Sequence, residues 1–235
     1  MPPRPTVLFL PGLLCDAALW AHQVEHLCDL ATPVVADLTR DDTIAAMARR
    51  AAGQAPGRFV LVALSMGGYV AFEMLRTLPD RIAGVALVDT TAAPDTPEKA
   101  AERRAGIASL AAGQFAGVTT RLLPKLVHPA HVDGPVGAQV RAMARRVGGE
   151  AYVRQQRAIL GRVDSRPLLP RIGVPALVVV GAQDVLTPPA EARLMHEGIK
   201  GSTLHVLPDC GHLSPLEKPA ETTALLREWL TREIL

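Results

Sequence analysis

The run Phe59-Val60-Leu61-Val62-Ala63-Leu64 is apolar at every position, and Ser65-Met66-Gly67-Gly68 follows it at once. Six such residues, rich in β-branched types, are too few for a helix and read as a strand. A strand with no polar face must be covered on both sides. That requirement points to a parallel sheet inside two helical layers. The two glycines then allow a sharp turn into a helix, whose apolar face is Val70, Met74, Leu75 and Leu78. A serine at such a turn is exposed at a strand end, with backbone N–H groups beside it.

The rest of the chain repeats the alternation. Thr6–Leu10 reads as a buried strand and Ala17–Leu27 as a helix with Asp16 as N-cap. Thr32–Leu38, Ile82–Val88, Ala176–Val180 and Ser202–Leu207 read as further strands, and Pro219–Leu235 as a closing helix. Ile44, Met47, Ala48 and Ala51 mark an amphipathic helix. The expected class is α/β, with about six strands in a mainly parallel sheet. Residues 1–93 and 166–235 form the expected core. Residues 94–165 carry no strand runs and read as an inserted helical cap, cut into four short helices by Gly113, Gly134-Pro135 and Gly148-Gly149. In such a sheet ligands bind beyond the carboxyl ends of the strands.

Composition narrows the function classes. The formal net charge of +2 over 235 residues argues against nucleic acid as a partner. The apolar run Val7–Leu10 is too short to span a bilayer or to form a signal-peptide core, so no membrane partner is expected. Cys15, Cys28 and Cys210 form no paired framework, which fits a cytoplasmic protein. No spacing for a metal or a nucleotide cofactor is present, so none is expected.

Four segments stand at strand ends: Leu10-Pro11-Gly12-Leu13, Leu64-Ser65-Met66-Gly67-Gly68, Gly181-Ala182-Gln183-Asp184 through Pro188-Pro189, and Asp209-Cys210-Gly211-His212. In this order they resemble the α/β-hydrolase superfamily, in particular its small, capped, esterase-like serine hydrolases. Ala63 stands where the family usually has glycine, and Pro11 where many relatives have histidine.

The resemblance implies Ser65 as nucleophile, His212 as general base and Asp184 as the acid that orients it. Asp89 is the rival acid, because some relatives take theirs after that strand. His22, His26, His128, His131, His196 and His205 lack the strand-end context of His212. The oxyanion donors implied are the backbone N–H groups of Met66 and Leu13, with Leu14 the alternative to Leu13. Leu14, Phe115, Leu122 and Met143 are expected to line the substrate pocket.

The implied reaction is hydrolysis of a small carboxylic ester through an acyl-enzyme. Acyl transfer, lactone or C–C hydrolysis, perhydrolysis and non-catalytic ligand binding remain alternatives on the same fold. Between residues 98 and 166 there are twelve Lys or Arg and five acids. This excess reads first as solvated helix faces, and second as a dock for an anionic substrate or an acyl carrier.

Overall fold

The computed structural model describes residues 4–111 and 122–235. Its six strands are β1 (Thr6–Leu10), β2 (Thr32–Val35), β3 (Phe59–Leu64), β4 (Ile82–Val88), β5 (Ala176–Gly181) and β6 (Thr203–Leu207). They form one sheet in the order β2-β1-β3-β4-β5-β6, and every pairing is parallel.

Side chains alternate across this sheet into two cores. Leu8, Leu10, Leu61, Ala63, Leu87 and Val178 face one, which is covered by α2 (Ile44–Ala52), α3 (Met66–Thr77) and α7 (Pro189–Gly198). Val7, Phe9, Val62, Leu64, Val88 and Val179 face the other, under α1 (Ala21–Leu27) and α9 (Pro219–Glu233). All six residues of β3 are fully buried. Each large one contributes about 1.5–3 kcal/mol relative to exposure. The unbroken apolar run is thus explained by burial on both faces.

Strand order also places the site. From β1 the chain turns outward to β2 on one side, while β3 to β6 build the other. The crevice of a parallel sheet lies at such a reversal, beyond the strand ends. Leu10 pairs with Ala63 there, so the loop after β1 lies beside the turn after β3. Between β4 and β5 the described chain is helical: α4 (Pro97–Ala111), α5 (Leu123–Leu126), a short 3-10 turn and α6 (Pro135–Leu160). The 4-residue helix α8 (Ser214–Glu217) precedes α9.

Two local expectations are corrected. Strand β2 stops at Val35 rather than Leu38, because the Asp37 carboxylate accepts from the Thr39 N–H and hydroxyl and closes a turn. The helix expected from Ala17 is a 3-10 turn, Ala17–Trp20, that passes into α1, although Asp16 does cap its start. The expected break at Gly148-Gly149 is present: Gly148, at φ +77° and ψ 172°, is non-helical and kinks α6 into two helical pieces, in a conformation that glycine takes without strain.

Small residues are needed after the serine rather than before it. A Cβ on Gly67 would lie 2.2 Å from the Leu10 carbonyl oxygen, and one on Gly68 2.3 Å from Thr90 Oγ1. Ala63, by contrast, packs its methyl into the core. Gly67→Ala is therefore expected to destabilise the fold by about 3 kcal/mol, from overpacking against backbone. Ala63→Gly is expected to cost only about 1 kcal/mol. Urea unfolding midpoints of the two variants check the order, and a reversed order would refute this packing account.

Candidate active site

Ser65 sits between β3 and α3 with φ +54° and ψ −115°. A non-glycine residue in this region stores strain that its surroundings must hold. Ser65 N–H donates to the Val88 carbonyl at 3.1 Å, and its carbonyl accepts from Gly68 N–H at 2.9 Å and the Thr90 hydroxyl at 2.8 Å. Three bonds from three directions fix the turn and free the side chain for other partners.

The Ser65 hydroxyl lies 2.9 Å from His212 Nε2, and His212 Nδ1 lies 2.8 Å from Asp184 Oδ2. A carboxylate only accepts, so Nδ1 carries the proton and Nε2 is left to accept from Ser65. Asp184 also accepts from the N–H groups of Leu186 and Thr187 and from the Thr187 hydroxyl. His212 and Asp184 are almost wholly buried. Burial alone would lower the imidazole pKa, but the Asp184 charge and hydrogen bond outweigh it and raise the pKa above the ordinary value. Burial works to raise the Asp184 pKa, and the His212 charge reverses that and lowers it.

Asp89 makes no such contact. Its carboxylate accepts from the N–H groups of Gly181 at 2.8 Å and Ser214 at 3.1 Å, tying β4 to β5 and to α8. Burial, reinforced by the nearby Asp184 charge, raises its pKa. It acts as a structural clamp.

The loop that carries His212 is itself held. Glu217 accepts from the N–H groups of Gly211, Leu213 and His128, and His212 N–H donates to the Leu126 carbonyl. Glu217 was not foreseen from the sequence. Its one signal was an acid five residues after His212, in the first turn of a helix. Burial raises the pKa of both Cys15, to about 12, and Cys210, so these thiols stay protonated and unreactive. His22 and His26 stack on each other, and among the described residues no group of three or more His, Cys, Asp or Glu is placed to hold a metal.

The loop after β1 holds the Leu13 and Leu14 N–H groups in different surroundings. Leu14 N–H donates to Gln155 Oε1 at 3.1 Å, and the Gln155 amide donates to the Leu38 carbonyl. That N–H is therefore occupied. Leu13 N–H makes no hydrogen bond among the described residues, and Met66 N–H heads α3, where no intrahelical acceptor exists.

A cavity of about 410 Å³ opens over Ser65 and His212. Leu13, Leu14, Leu122, Leu126, Val140, Ile159 and Leu213 give it an apolar lining. The expectation for Met143 is corrected: it is fully buried beside Val140 and Ala144 in the core and does not line the cavity. Phe115 lies outside the described residues. Tyr69, Asp95, Arg103, Gln156 and Arg162 also line the cavity and were not assigned to it from the sequence. Only Tyr69 had a signal, since it falls one helical turn after Ser65.

The family described by the alpha/beta hydrolase fold matches residues 40–219. A pimeloyl-[acyl-carrier protein] methyl ester esterase of Neisseria meningitidis is 30% identical over 179 residues, spanning 71% of this chain and 67% of that protein. A thermophilic esterase from Thermogutta terrifontis, solved with malate bound, superposes with a TM-score of 0.91 at 32% identity, covering 99% of this chain and 92% of its own. The enol-lactonase from Burkholderia xenovorans LB400 gives 0.82 at 26% identity, covering 97% and 92%. Among the described residues no helix is long and apolar enough to cross a membrane.

The balance of charge and burial at His212 is open to measurement. Its imidazole, followed by NMR, is expected to titrate above 6.5 in the parent and to shift downward in Asp184→Asn, where burial prevails. The raised pKa means that the pair stabilises the folded state fully below the unfolded value and loses that contribution as pH rises through the folded value. An unmoved titration midpoint in Asp184→Asn would show that Asp184 does not set the pKa.

Proposed function

Because this chain belongs to the α/β-hydrolase fold family, we propose that it is a serine esterase working through an acyl-enzyme. The observation that carries this reading is the hydrogen-bonded chain Ser65–His212–Asp184 at the cavity floor. A serine hydroxyl is weak as a nucleophile until a base takes its proton. His212 Nε2 takes it as Oγ attacks the ester carbonyl, and Asp184 stabilises the imidazolium. The N–H groups of Met66 and Leu13 receive the oxyanion. His212 then protonates the leaving alcohol, and afterwards activates the water that cleaves the acyl-enzyme. Two esterases and an enol-lactonase among the similar proteins support ester chemistry. The free cysteines fit a reducing compartment, the cytoplasm.

Ser65→Ala and His212→Ala are expected to lower kcat on short aryl esters by about 10⁴-fold or more, with folding retained. Asp184→Asn is expected to cost about 10³–10⁴-fold. Asp89→Asn, whose partners are backbone groups, is expected to lower stability far more than kcat. A serine-directed phosphonate should add to Ser65. The base must be neutral, so activity should fall on acidification through an apparent pKa above 6.5, the direction in which His212 is shifted. Equal kcat losses in Asp184→Asn and Asp89→Asn, or an adduct elsewhere, would sink the assignment.

A second reading concerns the alcohol or acyl partner. Several arginines of the basic stretch 98–166 are already engaged: Arg146 with Asp16, Arg154 with the Thr39 carbonyl, Arg166 with Asp164. Arg141 and Arg145 on α6 have no ion-pair partner among the described residues and are open to an acidic acyl carrier. This fits the carrier-linked ester named for the Neisseria relative. Turnover of a carrier-linked ester should then fall with salt more steeply than that of a neutral ester. Arg141→Ala/Arg145→Ala should flatten that difference. Equal salt slopes in the parent would make these arginines ordinary surface.

A further inference from the structure

One wall of the cavity holds more buried positive charge than its fold requires. Asp95 is gripped by two guanidinium groups. Arg103 Nε lies 2.7 Å from Oδ2, and Arg162 Nη2 lies 3.0 Å from Oδ1. The side chains are 20%, 6% and 7% exposed for Arg103, Arg162 and Asp95, so the excess positive charge is largely shielded from water. Arg103 also donates to Gln156 Oε1, and Arg162 to the carbonyls of Ala93 and Ile159. The Arg162 guanidinium stacks on the Tyr69 ring at 4.3 Å. Its Nε, buried, has no acceptor among the described residues.

A clamp joining the Asp95 loop to α4 and to the segment after α6 would account for the Asp95 bonds. It leaves the second positive charge and the empty Nε donor unexplained, and an orphaned donor on a buried charge is costly. The other carboxylates on the cavity wall do not neutralise the cluster. Glu102 is exposed. Glu191 accepts from the Thr91 hydroxyl, and its charge acts on Arg166. The Lys99 ammonium, exposed and bonded to the Leu186 carbonyl, is a further cation and does not neutralise the cluster. Planar guanidinium groups match a carboxylate in shape and charge. The same cavity holds Ser65 and His212.

We propose that Arg103 and Arg162 form a carboxylate-binding subsite, and that the substrate is an ester of a short dicarboxylic acid whose free carboxylate docks there. The proposal rests on the ester-hydrolase reading above and specifies its acyl group. An apolar chain spans the Leu- and Val-lined part of the cavity, with one end at each polar pole.

Two measurements test it. Calorimetry on Ser65→Ala compares monomethyl glutarate with methyl pentanoate, which differ only in the terminal carboxylate. Kinetics on the parent compare mono-p-nitrophenyl glutarate with p-nitrophenyl pentanoate. Monomethyl glutarate is expected to bind at least about tenfold more tightly. The anionic ester is expected to show at least about tenfold higher kcat/KM, mainly through KM. Both ratios should fall toward one in Arg103→Gln and in Arg162→Met.

Parity of the two ligands and of the two esters in the parent overturns the subsite while leaving ester hydrolysis standing. A monomethyl glutarate preference without turnover of either ester leaves the subsite standing and overturns the esterase reading. The parental ratios need no cluster variant, so a misfolded variant does not decide the outcome.

Discussion

The site depends on one backbone constraint: Ser65 is held at φ +54°, a conformation that costs about 1–3 kcal/mol for a side-chain-bearing residue. Nothing local supplies that energy. It comes from β3 being fixed between β1 and β4, and from α3 packing against Leu10 so closely that Gly67 has no room for a methyl group. The sheet bears the strain, and the reward is a hydroxyl displayed at a strand end with an N–H group directly behind it. If the parallel pairing were lost, Ser65 would relax into an ordinary helix N-terminus.

The remaining groups reach the serine from distant parts of the chain. Asp184 follows β5, His212 follows β6, and the Leu13 loop follows β1. Parallel strands deliver all these loops to the same edge. Buried carboxylates then lock them. Asp89 joins β5 and α8, Asp184 gathers its own turn and His212, and Glu217 draws together the His212 loop and the chain at His128. In each case backbone N–H groups satisfy the carboxylate, which keeps its burial tolerable. The helical segment is fastened by a neutral group instead: Gln155 bonds to the Leu14 N–H and the Leu38 carbonyl. That choice leaves the Leu13 N–H without an acceptor among the described residues.

The cavity unites two kinds of surface that the fold keeps apart elsewhere. Its floor and much of its wall are leucine and valine, continuous with the core beneath. One side carries Arg103, Arg162 and Asp95, drawn from α4, the segment after α6 and the loop after β4. Buried charge is retained in proteins at a cost. Its presence in the cavity that also opens over Ser65 fits the proposed carboxylate subsite better than stability.

The sequence by itself determined the strands, because a parallel sheet buried on both faces demands unbroken apolar runs such as Phe59–Leu64 and Ala176–Val180. It also placed Ser65, Asp184 and His212 at strand ends, since turn chemistry and strand position are local properties. Two kinds of fact came only from the tertiary structure. The first was partner choice: whether Asp89 or Asp184 meets His212 depends on loop geometry across three strands, and both carboxylates look alike in sequence. The second was the identity of the cavity wall. Met143 and Leu122 are both apolar residues in the helical segment, yet one is sealed in the core and the other faces the cavity. The Arg103–Asp95–Arg162 cluster read only as part of a basic surface. Its burial, and an Nε unpaired among the described residues, arise from contacts between segments as far apart as Tyr69 and Arg162, which no local pattern records.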